Sequence, residues 1–227
     1  MSIHLGLKAQ YLMLRKLIKT LIPCRGNIFF DLFIEAAENI YQSSNLLVAI
    51  MHAEDANASA DLNSQLRMQR QRAVDIDKEI IVQLNEQFIT PIDRGDIFHL
   101  SGTLLKLTKR IIKINNKLQL YTSNIETDHC LVHSVKTLQQ IIESLYSLMT
   151  AFKDKDEYKI KLESQKVTEL DEHVVEELGD ALEKIQSNHS DILTIIKLKK
   201  VYKAIESALE TSTTLCDAVM RIYVKEI

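Results

Sequence analysis

Apolar residues recur along this chain at steps of three and four, the spacing of one helix face, almost without a break. Seven helical stretches follow from that pattern. The first covers residues 3–22, with Leu7, Tyr11, Leu14, Ile18 and Leu21 on its stripe, and stops at Pro23 and Gly26. The second covers about 27–53, with Phe29, Phe33, Ala36, Ile40, Leu47 and Ile50 on one side, and a polar break follows at 55–59. The third, about 60–89, carries Ile76, Ile80, Leu84 and Phe88 at four-residue steps. The fourth runs to about Leu120 on Ile97, Leu100, Leu104, Leu107, Ile111 and Ile114. After a break at Ser123 and Asn124, the fifth covers about 125–152, and a charged turn occupies 153–156. The sixth, about 157–187, is weakly interrupted at Gly179, and the seventh covers 191–225. Stretches near 30 residues predict rods on the order of 45 Å. Short loops between such rods predict an elongated antiparallel bundle, all-α in class.

The joint between the third and fourth helices is the sharpest. Pro91 is one of two prolines in 227 residues. Thr90 fits an N-cap and Pro91 the first helical position, while Asp93 and Asp96 place negative charge near the positive end of the helix.

The chain also repeats itself faintly. A shift of 101 residues lays Val74 on Val175, Ile80 on Ala181, Ile81 on Leu182, Leu84 on Ile185 and Leu104 on Ile205. The same shift lays Thr90-Pro91 on Asp191-Ile192. The organisation expected is one continuous body: an N-terminal helix (1–25) and two related three-helix halves (26–124 and 125–227).

Composition agrees with long helices. Hydrophobic residues make up 46% of the chain, and five glycines with two prolines leave too few turn residues for an all-β fold. A net charge of −3, with no tryptophan and few aromatics, argues against a nucleic-acid binder. Cys24, Cys130 and Cys216 are far apart with no C-x-x-C, which reads as reduced thiols in a cytoplasmic protein. No apolar run is long enough to span a bilayer, and the N-terminus has no signal-peptide pattern. Residues 3–22 carry Lys8, Arg15, Lys16 and Lys19, and no acid precedes Asp31. Three placements fit such a basic amphipathic helix: packing on its own bundle, lying on the anionic inner face of the cell membrane, or docking on a partner.

Particular strings resemble a known family. Leu-Ile-Pro at 21–23, Ile-Phe-Phe-Asp-Leu-Phe at 28–33, Phe-Ile-Thr-Pro-Ile-Asp-Arg-Gly-Asp-Ile at 88–97 and Ile-Ile-Lys-Leu-Lys-Lys-Val-Tyr-Lys-Ala-Ile-Glu at 195–206 resemble the PhoU-like phosphate transport regulators. The branch they resemble is the one found beside Pit-type inorganic phosphate transporters. Gly95 departs from the pattern, which usually has Glu there. The resemblance implies six helices in two pseudo-symmetric three-helix bundles, and a non-enzymatic accessory role in phosphate uptake. It also implies metal clusters, of divalent or iron-type ions, held by Glu/Asp-x-x-x-Asp motifs on two helices of each half.

Those motif positions are largely altered here. In the first half they fall on Arg70 and Val74, then on Leu105, Lys106 and Lys109. In the second they fall on Asp171 and Val175, then on Glu206 and Glu210. Asp171, Glu206 and Glu210 remain as a degenerate metal set, with Asp217 two turns further on; the alternative is three solvated or lysine-paired acids. Lys106, Lys109, Arg110, Lys113 and Lys117 form a basic stripe. It suits an anion such as phosphate, a lipid head group or an acidic partner surface, or is simply a solvated polar face. Glu126, His129, His133 and Cys130 read as a surface or helix-end cluster, since no second Glu-x-x-His segment accompanies them. His173, four residues after Glu169, is read as an ordinary helical pair. No nucleophile elbow or Gly-rich phosphate loop is present, so the chain does not read as an enzyme. A metal- or anion-binding sensor and a homodimeric helical scaffold remain as alternatives to the regulator.

Overall fold

A computed structural model describes residues 27–53, 55–121, 129–187 and 191–226. The expected first helix (3–22), the break at Ser123-Asn124, Glu126 and Cys24 lie outside the described residues. The described chain forms six α-helices and no strand: α1 (Asn27–Met51), α2 (Ala56–Glu86), α3 (Arg94–Tyr121), α4 (His129–Asp154), α5 (Glu157–Ser187) and α6 (Ile192–Glu226). The bundle is all-α, as the periodicity predicts. α5 has the expected bounds, and α2 shifted by 101 residues falls on it end for end.

Cross-helix contacts show how the rods run. In the first triad, Asn39 Nδ2 donates to the Gln69 carbonyl at 3.1 Å and Arg72 pairs with Glu35 at 3.4 Å, so α1 and α2 are antiparallel. Asn115 Nδ2 donates to Asn63 Oδ1 at 2.6 Å, and the Ser101 hydroxyl donates to Asp77 Oδ1 at 2.6 Å, so α2 and α3 are antiparallel as well. α4, α5 and α6 pack on one another in the same manner. The two triads meet through α1 on α4 and α3 on α6, leaving α2 and α5 outermost. Along α1 and α4, Phe30 meets Phe152 edge-on at 5.4 Å and Tyr41 stacks on Tyr146 at 6.0 Å. Lys153 bonds Asp31 at 2.6 Å, and Gln139 bonds Asn45. Along α3 and α6, Lys225 pairs with Asp96 at 2.9 Å.

The expected core stripes are buried. Phe29, Phe33, Ile40 and Leu47 of α1 and Ile97, Leu100, Leu104, Leu107, Ile111 and Ile114 of α3 are essentially inaccessible. Each such side chain contributes roughly 1.5–3 kcal/mol of burial. α5 runs unbroken through Gly179, where a Cβ would meet nothing within 4 Å.

The caps differ from the sequence expectation. α2 begins at Ala56 rather than 60, because Asp55 is an N-cap whose carboxylate accepts from Ala58 N at 2.6 Å. α3 begins three residues after the expected position. Asp93 is its cap, accepting from Gly95 N at 2.8 Å and Asp96 N at 3.3 Å, whereas the Thr90 hydroxyl donates to the Ile92 carbonyl. A short acid reaching two backbone N–H groups satisfies orphan donors that Thr90, already committed to its own turn, leaves open. At the α4–α5 turn, Lys155 takes the left-handed conformation at φ 58°, Asp156 N donates to the Ala151 carbonyl, and Asp156 caps α5 through Lys159 N.

Candidate functional site

α2 ends at Glu86, so Phe88 leaves the four-residue spiral expected to bury it and stands fully exposed in the joint. The joint around it is held at both ends. The Arg94 guanidinium donates to the Gln87 carbonyl at 2.9 Å and also to the Leu84 carbonyl, satisfying acceptors left open at the end of α2. Asp93 caps α3 from the other side. Ile89 and Phe98 are also exposed. The result is an aromatic tip on a tethered turn.

From that tip the solvent face of α3 continues as one stripe. Phe98, Gly102, Lys106, Lys109 and Lys113 are all exposed and follow one another at three- and four-residue steps, and Arg110 is half-buried beside them. Lys106, Lys109, Arg110 and Lys113 form no ion pair among the described residues. Positive charge that finds no internal partner stays available to an anionic one.

In the second triad, Cys216 of α6 meets Ser164 of α5 at 3.6 Å, and that antiparallel register sets Asp171 level with Glu210. One Asp171 carboxylate oxygen is buried and has no hydrogen-bond partner among the described residues. Burial pushes the Asp171 carboxyl above the usual range, and the neighbouring charges of Glu172 and Glu210 push the same way. Glu206 and Asp217 are exposed on α6. Among the described residues no group of three or more His, Cys, Asp or Glu is arranged to hold a metal ion. What the fold brings together is thus two carboxylates, Asp171 and Glu210, near enough to repel each other, with Glu206 one turn away.

A raised folded-state pKa makes Asp171 a source of pH dependence. Between its unfolded value and its raised folded value the native state binds the extra proton, so stability falls as pH rises through that window and stays lower above it. Asp171→Asn is expected to raise the thermal midpoint at pH 7 and to leave it unchanged well below the ordinary aspartate range. Equal midpoints at pH 7 would refute this origin.

The histidine cluster is rearranged. His133 turns to α5, where its Nδ1 meets Glu177 Oε2 at 2.7 Å, and the other Glu177 oxygen lies 3.5 Å from His173 Nδ1. Glu177 therefore ties α4 to α5 and links the two histidines, a role that spacing along one helix does not reveal. His129 is exposed, and neither Cys130 nor Cys216 is in a disulfide. Among the described residues no helix is long and apolar enough to cross a membrane.

The sequence matches no protein-family model and no curated protein. Solved structures do match. A PhoU-like protein from Shewanella oneidensis superposes with a TM-score of 0.74 at 11% identity, covering 87% of this chain and 99% of its own. Another from that organism, named for phosphate regulation, gives 0.71 at 13% identity with the same coverage. The phosphate transport system regulatory protein PhoU from Streptococcus pneumoniae gives 0.64 at 11% identity, covering 86% of this chain and 92% of its own. At such identities the likeness is one of fold, and this chain has the helical-bundle fold of the PhoU-like proteins.

Proposed function

We propose that this chain is a non-enzymatic accessory protein of inorganic phosphate uptake, docking on a Pit-type membrane phosphate transporter from the cytoplasmic side. The observation that carries this reading is the nearly end-to-end correspondence with PhoU-like folds, one of them named as a phosphate transport system regulator. The whole chain acts as one body, its two halves presenting surfaces rather than a reaction centre. The working surface is the aromatic tip and the basic stripe of α3, with Lys106, Lys109, Arg110 and Lys113 facing acidic groups of the partner. No metal is assigned to Asp171, Glu206 and Glu210.

Copurification with the transporter from detergent-solubilised membranes tests the proposal. Replacing Lys106, Lys109 and Lys113 by Gln should weaken association about tenfold, at roughly 0.5 kcal/mol for each exposed charge contact. It should also flatten the salt dependence. No association with transporter-bearing membranes, or phosphate uptake unchanged when the chain is deleted, would overturn the reading.

A further inference from the structure

We propose that the groove between α4 and α5 is a binding site for a linear polyamine. The groove holds about 660 Å³, within the usual size of small-molecule sites. Its α5 wall carries Glu163, Lys166 and Glu169, and Glu143 stands opposite on α4. Glu163 is a buried carboxylate that pairs with Lys166 at 2.9 Å. Glu169 accepts from Gln165 at 2.8 Å, and Glu143 has no polar partner; neither meets a cation among the described residues. His173 closes one end and lies 3.5 Å from Glu177. Three carboxylates therefore face one lysine.

Their spacing selects the kind of cation. Glu163 and Glu169 are about 9 Å apart along the axis of α5. Counting inward from the His133–Glu177 contact sets Glu143 level with Val167, between those two. A point cation needs several acids around one centre, which no described group supplies. Charge spread along a groove suits a ligand whose charge is spread as well, with ammonium groups three or four carbons apart. Leu170, half-buried in the wall, offers the methylene spacers an apolar surface.

A buried hydroxyl points to the same ligand class. Ser144 lines the groove at 7% exposure and forms no hydrogen bond among the described residues. Elsewhere on α4, Ser134, Thr137 and Thr150 turn back to carbonyls of the preceding turn at 2.8, 3.1 and 3.0 Å. Ser144 instead keeps its lone pairs for a donor in the groove, and Ser147, one turn on, does the same. An ammonium donates several N–H bonds and needs such acceptors between the carboxylates. The groove between α1 and α2, about 420 Å³, also has acids at its rim: Glu35, Asp75 and Glu79. Its floor is Leu32, Met68 and Ile76, and no hydroxyl lines it, so it lacks half of the site.

Isothermal titration of the full-length protein with spermidine, at about 0.1 M salt, tests the site. Saturable binding of about one spermidine per chain is expected. Glu143→Gln combined with Glu169→Gln, both at exposed positions, should weaken it about tenfold. Ser144→Ala should weaken it about threefold, the scale of one neutral hydrogen bond. The control pair, Asp75→Asn with Glu79→Gln, changes the net charge equally and should leave affinity within about twofold. Circular dichroism checks that each variant keeps its helix content. Four results would overturn the proposal: no saturable binding of spermidine; equal weakening by the control pair, which marks diffuse charge attraction; displacement by Mg²⁺ at matched ionic strength, which marks an ordinary counterion; and a lysine tetrapeptide that displaces spermidine at lower concentration, which marks a groove for basic protein segments. None of these bears on transporter copurification, so the two readings fail separately.

Discussion

Phe152→Ala should destabilise the protein by roughly 3–5 kcal/mol, the usual range for truncating a buried aromatic. In a domain of this size that lowers the thermal midpoint by about 6–20 °C. Phe152 is 7% exposed near the end of α4, and its ring meets Phe30 edge-on across the seam between the two triads. The seam cannot close over the loss. α1 is also held against α2 and α3, and α4 against α5 and α6, so neither helix is free to move inward by a ring's width. The neighbouring Lys153–Asp31 pair is open to solvent, which screens it, so it is too weak to mask the cavity. Phe152→Leu, which keeps most of the volume, should cost about 1.5 kcal/mol or less. A midpoint drop under about 2 °C for Phe152→Ala would mean that the α1–α4 seam is loosely packed.

Under the proposed docking on a Pit-type transporter, Phe88→Asp should lower affinity for that transporter at least about thirtyfold, while leaving the thermal midpoint within about 1 °C. An aromatic anchor at the centre of an interface is worth roughly 2–4 kcal/mol, which sets that scale. Folding is indifferent because the side chain is fully exposed. The joint that presents it is held by Arg94 on the α2 carbonyls and by Asp93 on the α3 amides, and neither contact uses the Phe88 ring. The anchor is therefore presented in place, with little ordering cost on binding. Its loss should appear mainly in the dissociation rate, while the lysine substitutions act mainly on association. Equal affinity of Phe88→Asp and the parent would remove the tip from the working surface.

Periodicity was enough to place the rods. The stripe from Ile97 to Ile114 is buried along its whole length, and α5 spans the stretch its pattern marked, Gly179 included. A helix face is a local property, readable wherever apolar residues recur every three or four positions. The 101-residue repeat is legible for the same reason, since two helices of equal length and similar pattern leave it in the chain. The basic stripe was legible too, being carried by one helix. Helix ends were less so: Asp55 and Asp93 are the caps, and choosing among several polar residues near a joint depends on which side chain reaches a free amide.

By itself, then, the sequence determined that the described residues form a bundle of long helices, where each of those six lies to within a few residues, and, Phe88 apart, which face each buries. Those features depend on residues within a turn or two of one another. Only the tertiary structure decided that Phe88 projects rather than packs, that Asp171 stands level with Glu210, that Glu177 links His133 to His173, and that an acid-rimmed apolar groove is left between α1 and α2. Each of these depends on the rotation and register of helices far apart in sequence. Those are set by how whole apolar faces and buried pairs such as Asn63–Asn115 fit together, and no single stretch of chain encodes them.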